Sequence, residues 1–501
     1  MTLSFGAVEG LPETEQKQLN NLVRIYSYHR LKNACKQRYY NGHISLAEVN
    51  LGIALPRNMS KLDVGCSWGA KAVDVLASRS MFDGFVAENG AEADTMTEIA
   101  KRNRLIAEYQ KACRDELLYG ATFACVSGEK GGSVIRFYSP QCAAGAWSNE
   151  KGRIACGFAF QDAMQDESDI NWTPTFVNLY TETDTWELSR EGGHWTAERS
   201  PHKFGRPLME PMIWNASSDK PFGQSRIKGY VRKLIQGYVR TLANATIGLE
   251  FATSPQKYIL GVSDEQYDII TGDKFKQYVG SLLASTQNPD TNGNPTVGQF
   301  QQGSLSPHVE MIRILATQFS AATGLTVTDT GVVNDANPSS ADAVIAQSQT
   351  LIALAEQLNT GNGDALYTIA QMAQAIELGT TPDVLPDDSK NVIAHFKNPA
   401  MPTVTETTDA AVKVSSQRTE FASTDTFLEM VGFDQADIRR IKAQEMRIRG
   451  QQLLENLTVE GTEPHGDENS TDKMESIHGI TGNDKRQSGT GDAGICWKKR
   501  T

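Results

Sequence analysis

The 501-residue sequence predicts an α+β fold, mainly helical. Two changes of period carry that expectation. Apolar residues recur at helical spacing near the start, alternate at period two through much of 121–214, and return to helical spacing from about residue 225. With 39% hydrophobic and 22% charged residues, the composition is that of an ordinary globular protein, long enough to bury a sizeable core.

Residues 13–40 carry Leu19, Leu22, Ile25 and Tyr26 on one helical stripe, and Asn41-Gly42 supplies the turn that ends it. Residues 71–80 and 91–118 read as further helices, the second with Ile99, Leu105, Ile106, Tyr109 and Leu117 facing inward. The period then changes. Residues 121–126 and 133–138 flank a glycine-bearing turn at 127–132 and predict a β-hairpin, with strands following near 154–160, 175–181, 186–190 and 194–197. Glu191-Gly192-Gly193 marks a second hairpin turn, and 206–214 reads as one more extended piece.

From 225 to 250 the helical period returns. Ile227, Val231, Leu234, Tyr238, Leu242, Ala245 and Leu249 trace one face, while Arg226, Lys233 and Arg240 fall seven apart on another. Turn formers crowd residues 288–295 and predict a loop tip. Pro307 after Ser306 suits a first helical turn, Ile312, Leu315, Phe319 and Ala322 form its stripe, and Gly324 fits the position past its end. Residues 326–338 are irregular and polar, with Thr328, Asp329, Thr330, Asn334, Asp335 and Asn337 and no Lys or Arg. Ser339 with Asp342 then opens a long helix, which Asn359-Thr360-Gly361-Asn362-Gly363 is expected to kink or fold into a short hairpin. A last helix, 434–457, starts from an Asp434/Asp437 cap and keeps Ile438, Ile441, Ile448 and Leu454 apolar; beyond it the composition predicts a disordered tail.

Charge and motif content exclude several classes. A formal net charge of -12 argues against a protein that grips nucleic acid over its whole surface, because phosphate binding depends on Lys and Arg releasing counterions. It leaves DNA open as a passenger, since a wall that repels phosphates lets a duplex slide. The seven cysteines are odd in number, dispersed and without a CxxC pair, so neither a disulfide framework nor a zinc site is expected, and the compartment reads as reducing. No signal peptide opens the chain and no apolar run reaches membrane-span length. The eight histidines include no HxxxH or HExxH pair, and no metal or cofactor is expected.

Gly65-Cys66-Ser67-Trp68-Gly69-Ala70-Lys71-Ala72 lacks the second glycine and the hydroxyl residue after lysine that a phosphate-cradling loop needs. Its first five letters do fit GxSxG, the pattern that exposes a nucleophilic serine, here Ser67. Residues 59–64 are too polar for the buried strand that should precede such a turn, and no catalytic residue is assigned. Asp166-Glu167 and Asp387-Asp388 read as solvated loop charge.

Four segments, in this order, carry a resemblance: Tyr39-Tyr40-Asn41-Gly42, Gly223-Gln224-Ser225-Arg226-Ile227, Pro255-Gln256-Lys257-Tyr258-Ile259-Leu260-Gly261, and the helix start within 338–352. From about residue 20 to 457 the chain resembles the tailed-phage portal proteins of the siphophage portal family. The resemblance implies a portal-type subunit: an N-terminal wing at 1–221, helical and then β-rich; a first stem helix at 222–262; a clip at 263–304; a second stem helix at 305–325; a tunnel loop at 326–339; wing helices at 340–424; a C-terminal helical crown at 425–458; and a disordered tail at 459–501. Val73-Asp74-Val75-Leu76 with Gly84-Phe85 would be the family's early helix and the turn after it.

Such a subunit would form a homo-oligomeric ring, typically of twelve, at one capsid vertex of the virion, assembled in the bacterial host cytoplasm. It would be the channel for double-stranded DNA packaging and ejection and would have no enzymatic activity. The implied partners are the terminase large subunit, the major capsid and scaffolding proteins, and the head-tail adaptor. Thr328, Asp329, Thr330, Asn334, Asp335 and Asn337 would be tunnel-loop residues, and Arg226, Lys233 and Arg240 a basic stripe on the stem. The rival readings are a capsid or head-completion adaptor component without a DNA channel, and an enzyme, either DNA-acting or a serine hydrolase using Ser67.

Overall fold

A computed structural model describes residues 3–44, 64–87, 94–162, 174–253, 257–265, 282–286, 295–299, 304–332, 341–400, 411–413, 415–416, 424–433 and 435–460. The expected loop tip at 288–295 falls almost wholly outside them, as do the Ser339 and Asp434 helix starts and the tail from 461. Residues up to Asp434 form one unit; from Gln435 a second, separate unit begins.

Helix α1, Glu13–Tyr40, packs Leu19, Leu22 and Tyr26 on a six-stranded sheet. The sheet order is β1-β9-β8-β7-β6-β5, from Val8–Glu9, His194–Pro201, Asp184–Glu191, Phe176–Tyr180, Arg153–Phe160 and Ala143–Ser148; all neighbours are antiparallel except β1 with β9. Phe158, Val177, Leu179, Trp186 and Leu188 supply the buried face under α1. The β8–β9 hairpin turns at Gly192 and Gly193, whose φ values of 57° and 91° are costly for residues with a Cβ. Strand β5 has no counterpart among the sequence-predicted strands, because its run Ala-Ala-Gly-Ala-Trp-Ser hardly alternates.

The larger core is built around helices α2 (Trp68–Ala77), α3 (Asp94–Arg102) and α4 (Leu105–Tyr119) with the three-stranded sheet β10-β3-β4, formed by Met209–Ile213, Ala121–Glu129 and Gly132–Tyr138. The expected single helix over 91–118 is in fact two. Asn103 leaves the helix to serve β4: its side chain donates to the Ser133 carbonyl at 3.1 Å and accepts from the Ile135 amide at 3.0 Å, and Arg104 follows at φ 51°. The break rotates Ile106 outward, where it is 50% exposed, while Ile99, Leu105, Tyr109 and Leu117 are buried. Gly84 and Phe85 are not in a turn; they lie in β2, Phe82–Ala87, which pairs with β14, Val392–Phe396.

Helix α5 spans Gly229–Thr253, not the whole of 222–262, and residues 257–262 instead form β11. That strand lies between β12 (Leu282–Thr286) and β13 (Thr296–Gln299), within and beside the expected clip. The buried stripe of α5 is Val231, Ile235, Val239, Ala243 and Ile247, at strict four-residue steps, whereas Leu249 is 48% exposed. Helix α6, Ser306–Thr323, has Pro307 in its first turn and ends at Gly324 with φ 73°.

Helix α7 runs from Ala341 to Glu377 without interruption. The expected break at residues 359–363 does not occur, because tertiary packing overrides the low helix propensity of Gly and Asn there. Asn362 is buried and donates to Tyr109 Oη at 3.0 Å and Glu116 Oε2 at 2.8 Å. A Cβ on Gly361 would stand 4.0 Å from the Ile213 carbonyl oxygen, and one on Gly363 3.8 Å from the Phe396 ring, ordinary contact distances at which α7 packs on β10 and β14. Short helices α8 (Asp387–Lys390) and α9 (Asp425–Val431) complete the first unit. The second unit contains α10, Gln435–Glu460, in which Ile438 is buried and Ile448 is 54% exposed.

Candidate functional site

Helices α5 and α6 form an antiparallel pair. A Cβ on Gly237 would lie 3.2 Å from Leu315, one on Gly248 3.5 Å from Leu305, and Arg226 reaches Thr323, so residue numbers rise on one helix as they fall on the other. Glycine at 237 and 248 lets the helices approach where a larger side chain would hold them apart. At 25 residues, α5 is about 37 Å long.

Trp68 pins this hairpin to the body. It is buried between Tyr238 of α5, at 4.4 Å between ring centroids, and Phe319 of α6, at 4.9 Å. Each such aromatic pair is worth about 0.5–1.5 kcal/mol beyond the area it buries. Its indole N–H donates to the Thr330 carbonyl at 3.1 Å. Gly69 beside it has no room for a side chain, since a Cβ would collide with the Tyr39 carbonyl. Gly42 meets the same contact from the other side: it sits at φ 74°, and a Cβ there would stand 2.9 Å from the Cys66 carbonyl oxygen. Tyr40 Oη donates to Asp74 at 3.0 Å. The Tyr39-to-Gly42 segment and the Gly65-to-Gly69 segment are thus two halves of one α1–α2 joint. Ser67 is exposed, with unstrained φ −83° and ψ −3°, and residues 64–66 before it are not a strand, so the GxSxG letters do not build a nucleophile elbow.

The Gly223-to-Ile227 segment caps α4. A helix leaves its last four carbonyls without partners inside it, and here each finds one. Glu116 O accepts from the Gly120 amide at 2.7 Å, Leu117 O from the Arg226 amide at 2.9 Å, Leu118 O from Ser225 Oγ at 2.5 Å, and Tyr119 O from Lys36 Nζ at 2.8 Å. Gly223, at φ 65°, passes so close to the Trp214 and Gly120 carbonyls that a Cβ would strike both.

Arg226 is not on the surface stripe predicted for it. It precedes α5, is buried at 7% exposure, and donates from Nε to the Ala72 carbonyl and from Nη2 to the Thr323 carbonyl, the last of α6. Its guanidinium also lies 5.8 Å from the Trp214 ring centre. Burial pushes its pKa down to about 10, which leaves it cationic at neutral pH, and the negative end of the α6 dipole favours that charge. Lys233 and Arg240 are exposed on α5, as the heptad spacing implies.

The first part of the expected tunnel loop is ordered against the body. Residues Thr328–Thr330 form a 3-10 turn, in which Asp329 accepts from the Thr326 amide at 2.9 Å and the Thr326 hydroxyl at 2.8 Å. Thr330 is buried and Thr328 exposed. Asn334, Asp335 and Asn337 lie outside the described residues. Sequence reasoning missed Trp68 as the residue that joins hairpin, loop and body. Its only signal is a large aromatic between glycines, which periodicity does not read.

Among the described residues no group of three or more His, Cys, Asp or Glu side chains could hold a metal ion, and no helix is long and apolar enough to cross a membrane.

The chain is similar in sequence to a bacteriophage portal protein. That relative is the portal protein of Mycobacterium phage L5, 25% identical over 421 residues that cover 81% of this chain and 84% of the relative. No family model matches the chain. Two solved structures share a loose likeness: the neck of an empty GTA particle computed with C6 symmetry, at TM-score 0.42 and 14% identity, and the neck of a native GTA particle computed with C12 symmetry, at TM-score 0.41 and 13% identity. Each covers 79% of this chain and 99% of the neighbour, and at those TM-scores neither says more about this chain.

Proposed function

We propose that this chain is the portal subunit of a phage, assembling into a homo-oligomeric ring, a homododecamer, at one vertex of the capsid. The observation that carries the reading is the relationship to the L5 portal protein, which extends over four fifths of the chain. The α5–α6 hairpin supports it. Tyr230, Val309, Met311 and Ile314 are each 44% exposed or more in the single chain, and apolar side chains on a long hairpin gain by being covered by neighbouring copies.

In this reading α5 and α6 are the two stem helices, the β11–β13 sheet belongs to the clip, and the six-stranded sheet with α1 forms the wing. The segment from Thr326 is the tunnel loop: Trp68 anchors its start, and its acidic and neutral polar residues touch DNA without the counterion release that would grip it. Lys233 and Arg240, on the exposed face of α5, stand near passing phosphates or a neighbouring subunit. The ring conducts double-stranded DNA in packaging and ejection as a virion component put together in the bacterial cytoplasm. It meets the major capsid and scaffolding proteins at its wing, and the terminase large subunit and later the head-tail adaptor at its clip. It is a conduit and not an enzyme; terminase supplies the energy.

Native mass spectrometry with electron microscopy of the purified full chain tests this. The expected result is a closed ring whose mass is an integer multiple of 54.9 kDa, with a central opening that admits a duplex. A monomer at all concentrations, or an assembly without a central opening, would overturn the channel reading and favour an adaptor or capsid role.

A further inference from the structure

The largely apolar cleft between α1 and the start of α5 has no part in the reading so far. It encloses about 560 Å³, with Ile25, Phe123 and Phe222 among its lining residues. The charged side chains that line it are all basic: Lys32, Lys36, Lys228 and Arg232, with His29 beside them. None of the four is ion-paired to a carboxylate among the described residues. Lys36 spends its donors on Asn33 Oδ1 and the Tyr119 carbonyl, Arg232 Nη1 points to Cys35 Sγ at 3.2 Å, and Lys32 lies over the Tyr28 ring. Arg232 Nε is buried and makes no hydrogen bond among the described residues. Burial together with the neighbouring Arg232 and Lys32 charges pushes Lys36 down to about 8, so the cluster repels itself as it stands. A protein with 60 acidic residues against 48 basic ones has gathered four cations around an apolar floor with no acid beside them among the described residues.

We propose that this cleft is a docking site for a second copy of this chain, which presents its acidic stretch at residues 163–173. That stretch reads Ala-Met-Gln-Asp-Glu-Ser-Asp-Ile-Asn-Trp-Thr, with Asp166, Glu167 and Asp169 beside Ile170 and Trp172 and no Lys or Arg. The carboxylates complement the basic rim and the two apolar side chains match the floor. A phosphodiester chain would satisfy the rim and leave the floor unfilled, which is why a polypeptide is the better occupant. The proposal rests on the ring reading, since it needs copies side by side.

The test uses full-length K32E/K228E and D166K/E167K chains in native mass spectrometry, with a thermal melt of each to report its fold. Each variant alone should associate about tenfold or more weakly than wild type. An equimolar mixture should regain assemblies of wild-type size, because in an alternating ring every reversed cleft faces a reversed stretch and every unaltered cleft an unaltered one. If neither variant weakens assembly, or the mixture fails to recover, the proposal is overturned; failure to recover is also what a contact made within one chain would give. Should wild type form no ring at all, the ring reading fails and the cleft is judged by a fluorescein-labelled peptide of residues 163–173. Binding to the wild-type chain that drops about tenfold in K32E/K228E upholds the site for this stretch, and equal or absent binding rejects it.

Discussion

Arg226 and Glu116 are buried ionisable side chains that the fold treats in opposite ways. Arg226 keeps its charge by donating to two backbone carbonyls, one of them at a helix C-terminus. Glu116 is held by burial at a pKa of about 8, against 4.5 in an exposed setting, and is therefore mostly neutral at pH 7. Asn362 donates to one of its oxygens, a bond that lowers the pKa without cancelling the effect of burial. Between about pH 4.5 and 8 the folded chain keeps a proton that the unfolded chain has released, so stability is full below that window and falls as pH rises through it. Asp115, raised to about 6 by burial, acts in the same direction. His29 and His202, whose pKa values burial lowers, act in the opposite direction, so the prediction is a difference: from about pH 5 to about pH 8 the melting temperature of wild type should fall relative to that of E116Q, which keeps the shape and cannot ionise. Parallel curves for the two proteins would mean that Glu116 is ionised in the fold.

At the scale of elements, glycines in this chain serve distinct ends, and the structure separates them. Gly69 lies where α2 touches the end of α1, with a backbone carbonyl in the way of any Cβ. Gly361 lies inside α7 with its nearest neighbour 4.0 Å from where a Cβ would be, so it costs helix propensity and occupies a place that alanine also fits. G361A should accordingly stabilise the chain by about 0.5–1 kcal/mol in urea unfolding, and G69A should destabilise it by more than about 1 kcal/mol. Similar losses for both would mean that α7 does not run straight through residues 359–363. The bonds of buried Asn362 to Tyr109 and Glu116 explain why a stretch that reads as a break is instead the middle of a 37-residue helix.

For the whole molecule the decisive arrangement is the α5–α6 hairpin clamped through Trp68 and Arg226. Lys233 and Arg240 project from it on the exposed side. Because neither is buried, K233E/R240E should leave the melting temperature of the single chain nearly unchanged, within about 0.5 kcal/mol of stability. The double substitution should still lower ring yield or the DNA packaged per particle, measured by native mass spectrometry and by nucleic-acid content of assembled heads. Normal yield and normal DNA content would place the two cations on an inert solvated face.

Much of this was legible from residues alone. The span of α1, the β-rich middle, the end of α6 at Gly324, the Gly192-Gly193 hairpin and the likeness to portal proteins all rest on local signals, namely periodicity, turn chemistry and ordered short motifs. What the sequence could not disclose depends on which distant segments meet. Asn103 breaks a helix because β4 needs its side chain, Asn362 keeps one because Tyr109 and Glu116 receive it, and residues 257–262 leave the helix because two other strands are there to pair with them. Of the three cations seven apart, Lys233 and Arg240 lie on α5 as their spacing says, and Arg226, just outside the helix, is decided by the carbonyls of α2 and α6 that converge on it. Local free energies of about 1 kcal/mol set where elements tend to form; burying a polar or charged group without a partner costs several times more, so the tertiary structure has the last word wherever such a group is enclosed.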